Sequence, residues 1–349
     1  MSSEGVAALE SSPRAWGFWT EVKLDALERY LKKFTTASAR APTVLYLDLF
    51  AGSVDNVRRD DESRHFTGST VRALETGPRF THLWFFEMGS TARQLKRDLS
   101  SRFPEDERYR VVKGDCNEKI ANALDDLRSE GLDWSPTFCF VDPDALDVTW
   151  STLAQIASFK NARARTKAEL LVLLSHTTIP RLAGWDSAQG LDEALASSVT
   201  DFFGTSAWRR IHERRTSGLS AAEARHLYTT LFRYRLQKTL GYETTLTIEM
   251  GNERGAPVYV LVFATDHPAG TRIMSSVLEE AREQSAEYRS EIAQRRSREE
   301  RDRAGTPNLF DAMGQSPAEP PLYFETTQGD ESPTLPAWLM ECLGDDWAT

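Results

Sequence analysis

Residues 244–265 read TTLTIEMGNERGAPVYVLVFAT, two apolar runs rich in β-branched residues and joined by a short glycine-containing link. Such a pair predicts an antiparallel β-hairpin. The chain before this hairpin has a different pattern, in which apolar runs alternate with amphipathic stretches of helical length. The hairpin therefore closes a sheet whose other strands are connected by helices.

Five short apolar runs precede the hairpin. They cover residues 43–50, 81–87, 109–115, 137–144 and 168–175. Because helical stretches separate them, they predict a parallel sheet with right-handed crossovers. Five parallel strands closed by an antiparallel hairpin form the strand pattern of Rossmann-like methyltransferases. We therefore expect an α/β fold with a methyltransferase-type sheet, a helical insertion and a disordered C-terminal tail.

Composition divides the rest of the chain. Six of the 15 prolines lie within 307–336, which favours disorder there. Two apolar clusters in this tail, 308–313 and 335–347, are either chance or docking motifs for a partner. The predicted units are a flexible N-terminus (1–15), the first part of the Rossmann-like domain (16–176), a helical basic insertion (177–240), the closing hairpin and last helix (241–296), and a mostly disordered tail (297–349).

The bulk properties narrow the class of protein. The 349 residues carry a net charge of −10, which argues against a general nucleic-acid coat. No apolar run reaches the ~18 residues that span a bilayer, and no secretory signal is visible. Cys116, Cys139 and Cys342 are dispersed, so we expect no disulfide framework or metal site, and we expect Cys139 in the core. The sequence predicts a cytoplasmic protein without membrane contact.

Four acids, Asp48, Glu87, Asp115 and Asp142, follow four successive predicted strands. Ligands of open parallel sheets bind at that edge, so these acids predict an adenosine-ligand site. Glu87 would accept from the ribose hydroxyls, Asp115 from the adenine amino group, and Asp142 would face the reacting group. The alternative is that each acid only caps the next helix. The cofactor-binding candidates are Asp48, Phe50, Gly52, Ser53, Glu87, Met88, Asp115 and Cys116, and the catalytic candidates are Asp142 and Asp144.

Two loops at this edge depart from common motifs. The first loop, 51–56, reads AGSVDN and lacks a GxGxxG-like pattern. The turn GST at 68–70 is a candidate for the other wall of the pocket. VDPD at 141–144 resembles the DPPY-type motif of amino-methylating enzymes, but Asp144 and Ala145 replace the second proline and the aromatic residue. The missing aromatic argues against adenine methylation by that route.

A rival hypothesis uses the same acids to bind Mg²⁺. Glu87, Asp142 and Asp144, with Asp147 nearby, have the order of acids found in Toprim-type phosphotransfer sites. Asp115 and the closing hairpin fit this Mg-dependent nuclease alternative poorly.

The insertion has a local basic excess, with eight Lys or Arg against two acids between 205 and 240. Tyr228, Phe232 and Tyr234 lie between these charges, a pattern that suits phosphate binding with aromatic stacking. The alternative is a solvated helix pair whose aromatic residues belong to the core. The candidates for nucleic-acid contact are Arg209, Arg210, Arg214, Arg215, Arg233 and Arg235.

Several motifs together resemble one known family. They are WTEVKLDALERYL (19–31), YLDLFAGS (46–53), GST (68–70), FFE (85–87), GDCN (114–117), FVDPD (140–144) and VYVLVFATDHPAGTRIM (258–274). Across about residues 16–295 the chain resembles the three-Cys-motif partner proteins, TcmP, and the last motif is the most specific. The family usually has AGPG and DPFG where this chain has AGSV and DPDA.

The resemblance implies a methyltransferase-like protein that works with a partner, a radical-SAM-like iron–sulfur protein that carries the three-cysteine motif. Such pairs are often near mobile or defence-type gene sets. The leading hypothesis is an S-adenosylmethionine-dependent methyltransferase-like protein that acts on nucleic acid or on its partner. The alternatives are a non-catalytic scaffold subunit of a defence or modification system, which the altered AGSV and DPDA loops favour, and the Toprim-like nuclease.

Overall fold

A computed structural model describes residues 14–161, 164–179, 193–304 and 332–345. The strands in these ranges are β1 (Arg14–Trp16), β2 (Leu45–Asp48), β3 (Asp55–Arg58), β4 (Asp61–Thr67), β5 (His82–Glu87), β6 (Tyr109–Lys113), β7 (Thr137–Val141), β8 (Glu169–Ser175), β9 (Thr244–Gly251) and β10 (Pro257–Thr265). The helices are α1 (Phe18–Ala37), α2 (Ser69–Glu75), α3 (Gly89–Arg102), α4 (Cys116–Ser129), α5 (Trp150–Ala157), α6 (Glu193–Phe203), α7 (Trp208–Thr216), α8 (Ala221–Lys238), α9 (Pro268–Ala304) and α10 (Ala337–Asp345).

The central sheet has seven strands in the spatial order β6-β5-β2-β7-β8-β10-β9. The first five strands are parallel, and β10 pairs antiparallel with both β8 and β9. The strand order reverses at β2, whose neighbours β5 and β7 lie on either side. This arrangement confirms the predicted methyltransferase-type fold, with five parallel strands closed by an antiparallel hairpin.

Three strands end earlier than the apolar runs indicated, and β2 ends at Asp48, two residues before the end of its run. β6 ends at Lys113 because Gly114 has a φ of +138°, which takes the backbone out of the extended region. β7 ends at Val141, two residues before Pro143, which lacks the N–H needed to continue a strand ladder. Asp115 and Asp142 therefore lie just beyond the strands and not within them.

Both faces of the sheet are covered, as the continuous apolar strands require. In β7, Phe138 and Phe140 join the core beneath α1, α2, α3 and α9. Cys139 and Val141 point the other way and join the core shared by α4, α5 and the helical insertion. Cys139 is fully buried, which confirms its predicted core position.

The first helix packs as its periodicity indicated. α1 buries the apolar stripe Leu24, Leu27, Leu31 and Phe34 against the sheet. It packs extensively with α9, which runs beside it after the closing hairpin. Among the described residues, no helix combines the length and the apolar character needed to cross a bilayer.

A small three-stranded sheet, in the order β1-β3-β4, was not predicted. It extends from the Rossmann-like domain and includes residues 14–16, so the described part of the expected flexible N-terminus begins in a strand. Arg58 of β3 is 2 % exposed and pairs with Glu21 of α1 at 3.4 Å, which fixes the small sheet to the first helix. Residues 1–13 lie outside the described ranges.

The predicted tail is partly helical in the structure. α9 continues to Ala304, beyond the expected end of the domain at residue 296. In α10, Leu339 and Leu343 enter the same core as the insertion, together with the preceding Leu335. The candidate motif at 308–313 lies outside the described residues, whereas most of the motif at 335–347 is the helix that docks within this chain.

Candidate functional site

Asp48 stands at the point where the strand order reverses. It is the last residue of β2 and is fully buried. Tyr46 Oη donates to Asp48 Oδ2 at 3.2 Å, Phe50 N donates to Oδ1 at 3.4 Å, and the Ser69 side chain also bonds to the carboxyl. Burial, with a smaller contribution from the charge of Asp142, raises the pKa of Asp48 to about 7. The carboxyl is thus close to half-protonated at neutral pH.

The Ser69 contact brings the GST turn to this edge. Gly68 N donates to Val54 O at 2.8 Å, so the start of α2 lies directly against the loop that follows β2. A Cβ at position 68 would lie only 2.2 Å from Ser53 O. Glycine is therefore required here for the close approach of the two loops.

Asp142 follows β7 and forms an ion pair with Lys23 of α1. Lys23 is a buried residue whose Nζ lies 5.5 Å from the centroid of the Tyr259 ring. Tyr259 Oη in turn donates to Trp19 O at 2.6 Å. Lys23 was not among the predicted site residues. The signal that could have found it is its position within the buried face of α1, between Val22 and Leu24, where an unpaired charge would be costly.

Glu87 ends β5 and contacts the loop after β2. Its Oε2 accepts from Gly52 N at 2.7 Å, and its Oε1 accepts from Met88 N at 2.8 Å. Gly52 has a φ of +63°, a left-handed conformation that glycine adopts without strain. Glu87 thus holds the backbone of that loop while remaining half-exposed.

Asp115 lies beside Glu87, because Gly114 N donates to Glu87 O at 3.0 Å. The Asp115 side chain caps α4, and its Oδ1 accepts from Asn117 N at 2.9 Å. The capping alternative thus holds for this residue, which still stays half-exposed at the edge. The Cys116 side chain is buried, and burial raises the pKa of its thiol to about 12, so a ligand there would meet only its backbone.

The loop after β7 is tied to the start of α4. Asn117 Nδ2 donates to Asp147 O at 2.7 Å, and Thr149 N donates to Asn117 Oδ1 at 2.9 Å. Burial and the charge of the exposed Asp144 raise the pKa of Asp147. The loop therefore adds further acids to the edge that carries Asp115.

The structure places the four predicted acids along one edge of one sheet. The charges of Asp48 and Asp142 influence each other, as do those of Asp115 and Asp147. Of the other predicted cofactor-binding residues, Ser53 and Met88 are exposed, and Phe50 and Gly52 are half-buried. We name this set the carboxyl-edge site: Asp48, Gly52, Ser69, Glu87, Asp115, Asp142 and Lys23.

Two of the six arginines predicted to contact nucleic acid are buried, so the prediction is wrong for them. Arg233 Nε donates to Thr245 Oγ1 at 3.0 Å in the interior. The guanidinium of Arg235 lies 4.7 Å from the ring of Trp150 and is also buried. Both side chains stabilise the contact between α8 and the rest of the fold, so a nucleic acid cannot reach them.

The other four predicted arginines are engaged at the surface of the insertion. Arg209 pairs with Glu193, Arg210 with Glu213, Arg214 stacks on Trp338, and Arg215 donates to Leu219 O. Tyr228 and Phe232 are buried in the core. The aromatic residues thus follow the alternative of a helix pair with an aromatic core.

The acids of this edge do not converge as metal ligands do. Within the described ranges, no three His, Cys, Asp or Glu side chains are grouped so that they could hold a metal ion. The Lys23 ammonium also pairs with Asp142, at the position where the Toprim alternative requires a Mg²⁺ ion. The arrangement therefore does not favour that alternative.

The strand order and register define an α/β protein with a methyltransferase-like fold. No protein-family model matches the chain, and no curated protein matches it. The solved structures similar to this chain include the following three, each of which is matched over most of its own length.

One of these is a Legionella pneumophila protein of the DUF519 family, with 11% identity, coverage of 76% of this chain and 91% of that chain, and a TM-score of 0.43. A putative caffeoyl-CoA O-methyltransferase from Staphylococcus aureus has 10% identity, coverage of 70% and 82%, and a TM-score of 0.34. A putative O-methyltransferase from Klebsiella pneumoniae has 12% identity, coverage of 72% and 89%, and a TM-score of 0.35. The methyltransferase-like fold follows from the strand order and register of this chain and not from these similarities.

Proposed function

We propose that the carboxyl-edge site binds S-adenosylmethionine and that the protein is a methyltransferase-like subunit that acts with a partner. The observation that carries the proposal is the adjacency of Glu87 and Asp115 at the ends of neighbouring strands, joined by the Gly114 N to Glu87 O bond of 3.0 Å. In an open parallel sheet this edge, beside the reversal of strand order, is where nucleosides bind.

The residues present fit an adenosine group. A carboxylate has about four lone-pair positions. The two backbone N–H groups of Gly52 and Met88 use two of those on Glu87, which leaves two for ribose hydroxyls. Asp115 uses one position for Asn117 N and keeps others for the adenine amino group. At Gly52 a Cβ would meet nothing closer than 4.0 Å, so a ligand has room beside the loop.

When bound, S-adenosylmethionine supplies an electrophilic methyl group. The residues of this chain would then orient the acceptor. Lys23 holds the Asp142 carboxylate in place from the buried side, and the remaining lone pairs of Asp142 can accept a hydrogen bond from an amine or hydroxyl. Asp144 is exposed just beyond it and lies where the acceptor would approach.

The partner in this proposal is the three-Cys-motif, radical-SAM-like iron–sulfur protein that the resemblance to the TcmP family implies. Support comes from the spread of the resembling motifs, which fall on α1, β2, β5, β7, β10 and the loops between them. A nucleic-acid target would have to contact surfaces other than Arg233 and Arg235, because both are buried.

Calorimetric titration with S-adenosylmethionine and S-adenosylhomocysteine tests the proposal. A hydrogen bond to a charged group contributes about 1.5–3 kcal/mol, so we expect Glu87→Ala to weaken binding roughly ten- to hundred-fold. The matched control is Glu107→Ala, an exposed glutamate before β6 at the opposite end of the sheet, which should bind as the unchanged protein does. Equal affinity for Glu87→Ala, with unchanged thermal unfolding, would remove the ribose role.

The scaffold function is the second candidate. It is favoured by the Lys23–Asp142 ion pair, which already occupies part of the predicted catalytic carboxylate, and by Ala145 in place of an aromatic ring. Mass spectrometry of the partner and of bound nucleic acid after incubation with S-adenosylmethionine separates the two functions. Binding without any methylated product would support the scaffold, and a product lost in Asp142→Asn would support catalysis.

A further inference from the structure

A cavity of about 250 Å³ lies at the opposite, amino-terminal edge of the sheet. It is bounded by the end of α1, the starts of β7 and β8 and the start of α9. Its lining includes Phe34, Arg40, Lys160, Lys167 and Ile273. The cavity is therefore separate from the carboxyl-edge site.

A second cavity of about 210 Å³ adjoins it. Lys160, Thr166 and Lys167 line both cavities and so form their shared wall. The second cavity adds Arg165 and Asp266 to the ionisable groups of this region. Together the two spaces form a cleft that we name the amino-edge cleft.

The amino-edge cleft has an excess of positive charge in a protein whose net charge is −10. Its lining carries four cationic side chains and two acidic ones: Arg40, Lys160, Arg165 and Lys167 against Glu169 and Asp266. Lys167 is already satisfied, since its Nζ donates to Asp266 Oδ2 at 3.1 Å and to Gly241 O at 2.8 Å.

Lys160 is less well bonded than Lys167. Its Nζ donates to Thr166 Oγ1 over a long 3.4 Å. Burial lowers the pKa of Lys160, although the negative charges of Glu169 and Asp266 act to raise it. A half-buried ammonium with three donor hydrogens thus faces the space shared by both cavities. An anion placed there would restore the interactions that burial removes.

Glu169 offsets this positive charge only in part. Its carboxyl accepts from Tyr30 Oη at 2.6 Å and from Thr265 Oγ1 at 2.7 Å. Burial raises the pKa of Glu169 to about 7, so its carboxyl is about half-protonated near pH 7. Gly270 of α9 packs so closely on it that a Cβ there would lie 2.4 Å from Glu169 Oε1. Glu169 is thus held in place by the protein, and its partial charge acts on Lys160 without balancing all the cations of the cleft.

We propose that the amino-edge cleft binds a small molecule that carries a phosphomonoester group. The phosphate contacts Lys160, with Arg40 and Lys167 beside it, and the rest of the molecule lies on the apolar wall of Phe34 and Ile273. Such a phosphate carries a charge of about −1.5 to −2 at neutral pH, which matches the cationic excess better than a single carboxylate does. The cavity lined by Phe34, Arg40 and Ile273 has about 250 Å³, below the usual range of ~300–1,000 Å³ for ligand pockets, so the molecule is small.

Titration with ribose 5-phosphate, with ribose as the uncharged comparison, tests this site by calorimetry on the full-length chain. We expect ribose 5-phosphate to bind and ribose not to bind at the same concentration. Lys160→Met keeps the aliphatic stem and should weaken binding at least tenfold, and Arg40→Ala, at an exposed position, should weaken it several-fold. The matched control is Lys96→Met, an exposed lysine of α3, which should leave affinity unchanged.

Three results would overturn the proposal. The first is that ribose 5-phosphate at about 10 mM does not bind to the unchanged protein. The second is equal affinity in the unchanged protein, Lys160→Met and Arg40→Ala. The third is loss of ribose 5-phosphate binding in Glu87→Ala, since this would place the phosphate at the carboxyl-edge site.

Discussion

Replacing Asp48 by asparagine should remove a large part of the pH dependence of stability. Burial raises the pKa of Asp48 from 3.8 to about 7 in the folded state. Between these two pH values the folded protein binds a proton that the unfolded chain has lost, so the free energy of unfolding falls as pH rises. At about 1.36 kcal/mol per pH unit, ionisation of Asp48 lowers the free energy of unfolding by about 4 kcal/mol once the pH exceeds 7. An asparagine at this position would carry no charge at any pH, and this loss would disappear.

The assay is urea unfolding, followed by circular dichroism at pH 5 and pH 8. Between these pH values Asp48 accounts for a fall of about 3 kcal/mol, so the difference between the two conditions should shrink by that amount in Asp48→Asn. Asp125→Asn, at an exposed position on α4, is the control and should retain the full difference. A pH difference in Asp48→Asn equal to that of the unchanged protein would show that Asp48 titrates normally and would contradict its raised pKa.

Three further experiments test the packing of the site and of the tail. Gly68→Ala should lower stability by about 1–3 kcal/mol in thermal unfolding, because its Cβ would lie 2.2 Å from Ser53 O; an unchanged melting temperature would contradict the close approach. Lys23→Met and Asp142→Asn, singly and together, should give a coupling energy of about 0.5–3 kcal/mol in a double-mutant cycle, whereas zero coupling would deny their ion pair. Leu339→Asp should speed hydrogen exchange in α10 and leave the central sheet protected; equal exchange would mean that Leu339 does not anchor the helix.

The central sheet was predictable because its strands are buried on both faces. Runs such as 168–175 are continuously apolar, and helical segments of regular length separate them. The small sheet was not predictable, because most of its strand β4 is not buried. β4 reads DESRHFT, and only Phe66 of its seven residues is buried, so it has no apolar pattern from which to infer a strand.

The carboxyl-edge site was predictable in position and less so in contacts. Parallel strands all end at one edge, so acids after successive strands must lie near one another. Sequence could not show that Asp115 caps α4, or that Lys23 reaches Asp142 from a helix 119 residues earlier in the chain. Such a contact depends on how α1 packs, which no local pattern records.

Charge counting was a poor guide to the surface of the insertion. Arg233 and Arg235 lie on α8 next to Phe232, and they face inward with it. Their aliphatic stems and guanidinium groups are accommodated by Thr245 and by the Trp150 ring. A long cationic side chain in an amphipathic helix can thus be part of the interior, and composition alone does not distinguish this from a binding face.

The most direct test of nucleoside binding at the carboxyl-edge site is an experimental structure of the protein with S-adenosylhomocysteine, the demethylated form of the proposed cofactor. We expect the ribose hydroxyls within hydrogen-bond distance of the Glu87 carboxylate and the adenine beside Asp115, with the loop at Gly52 against the ligand. A nucleoside found at the amino-edge cleft, or elsewhere away from Glu87, would contradict binding at the carboxyl-edge site.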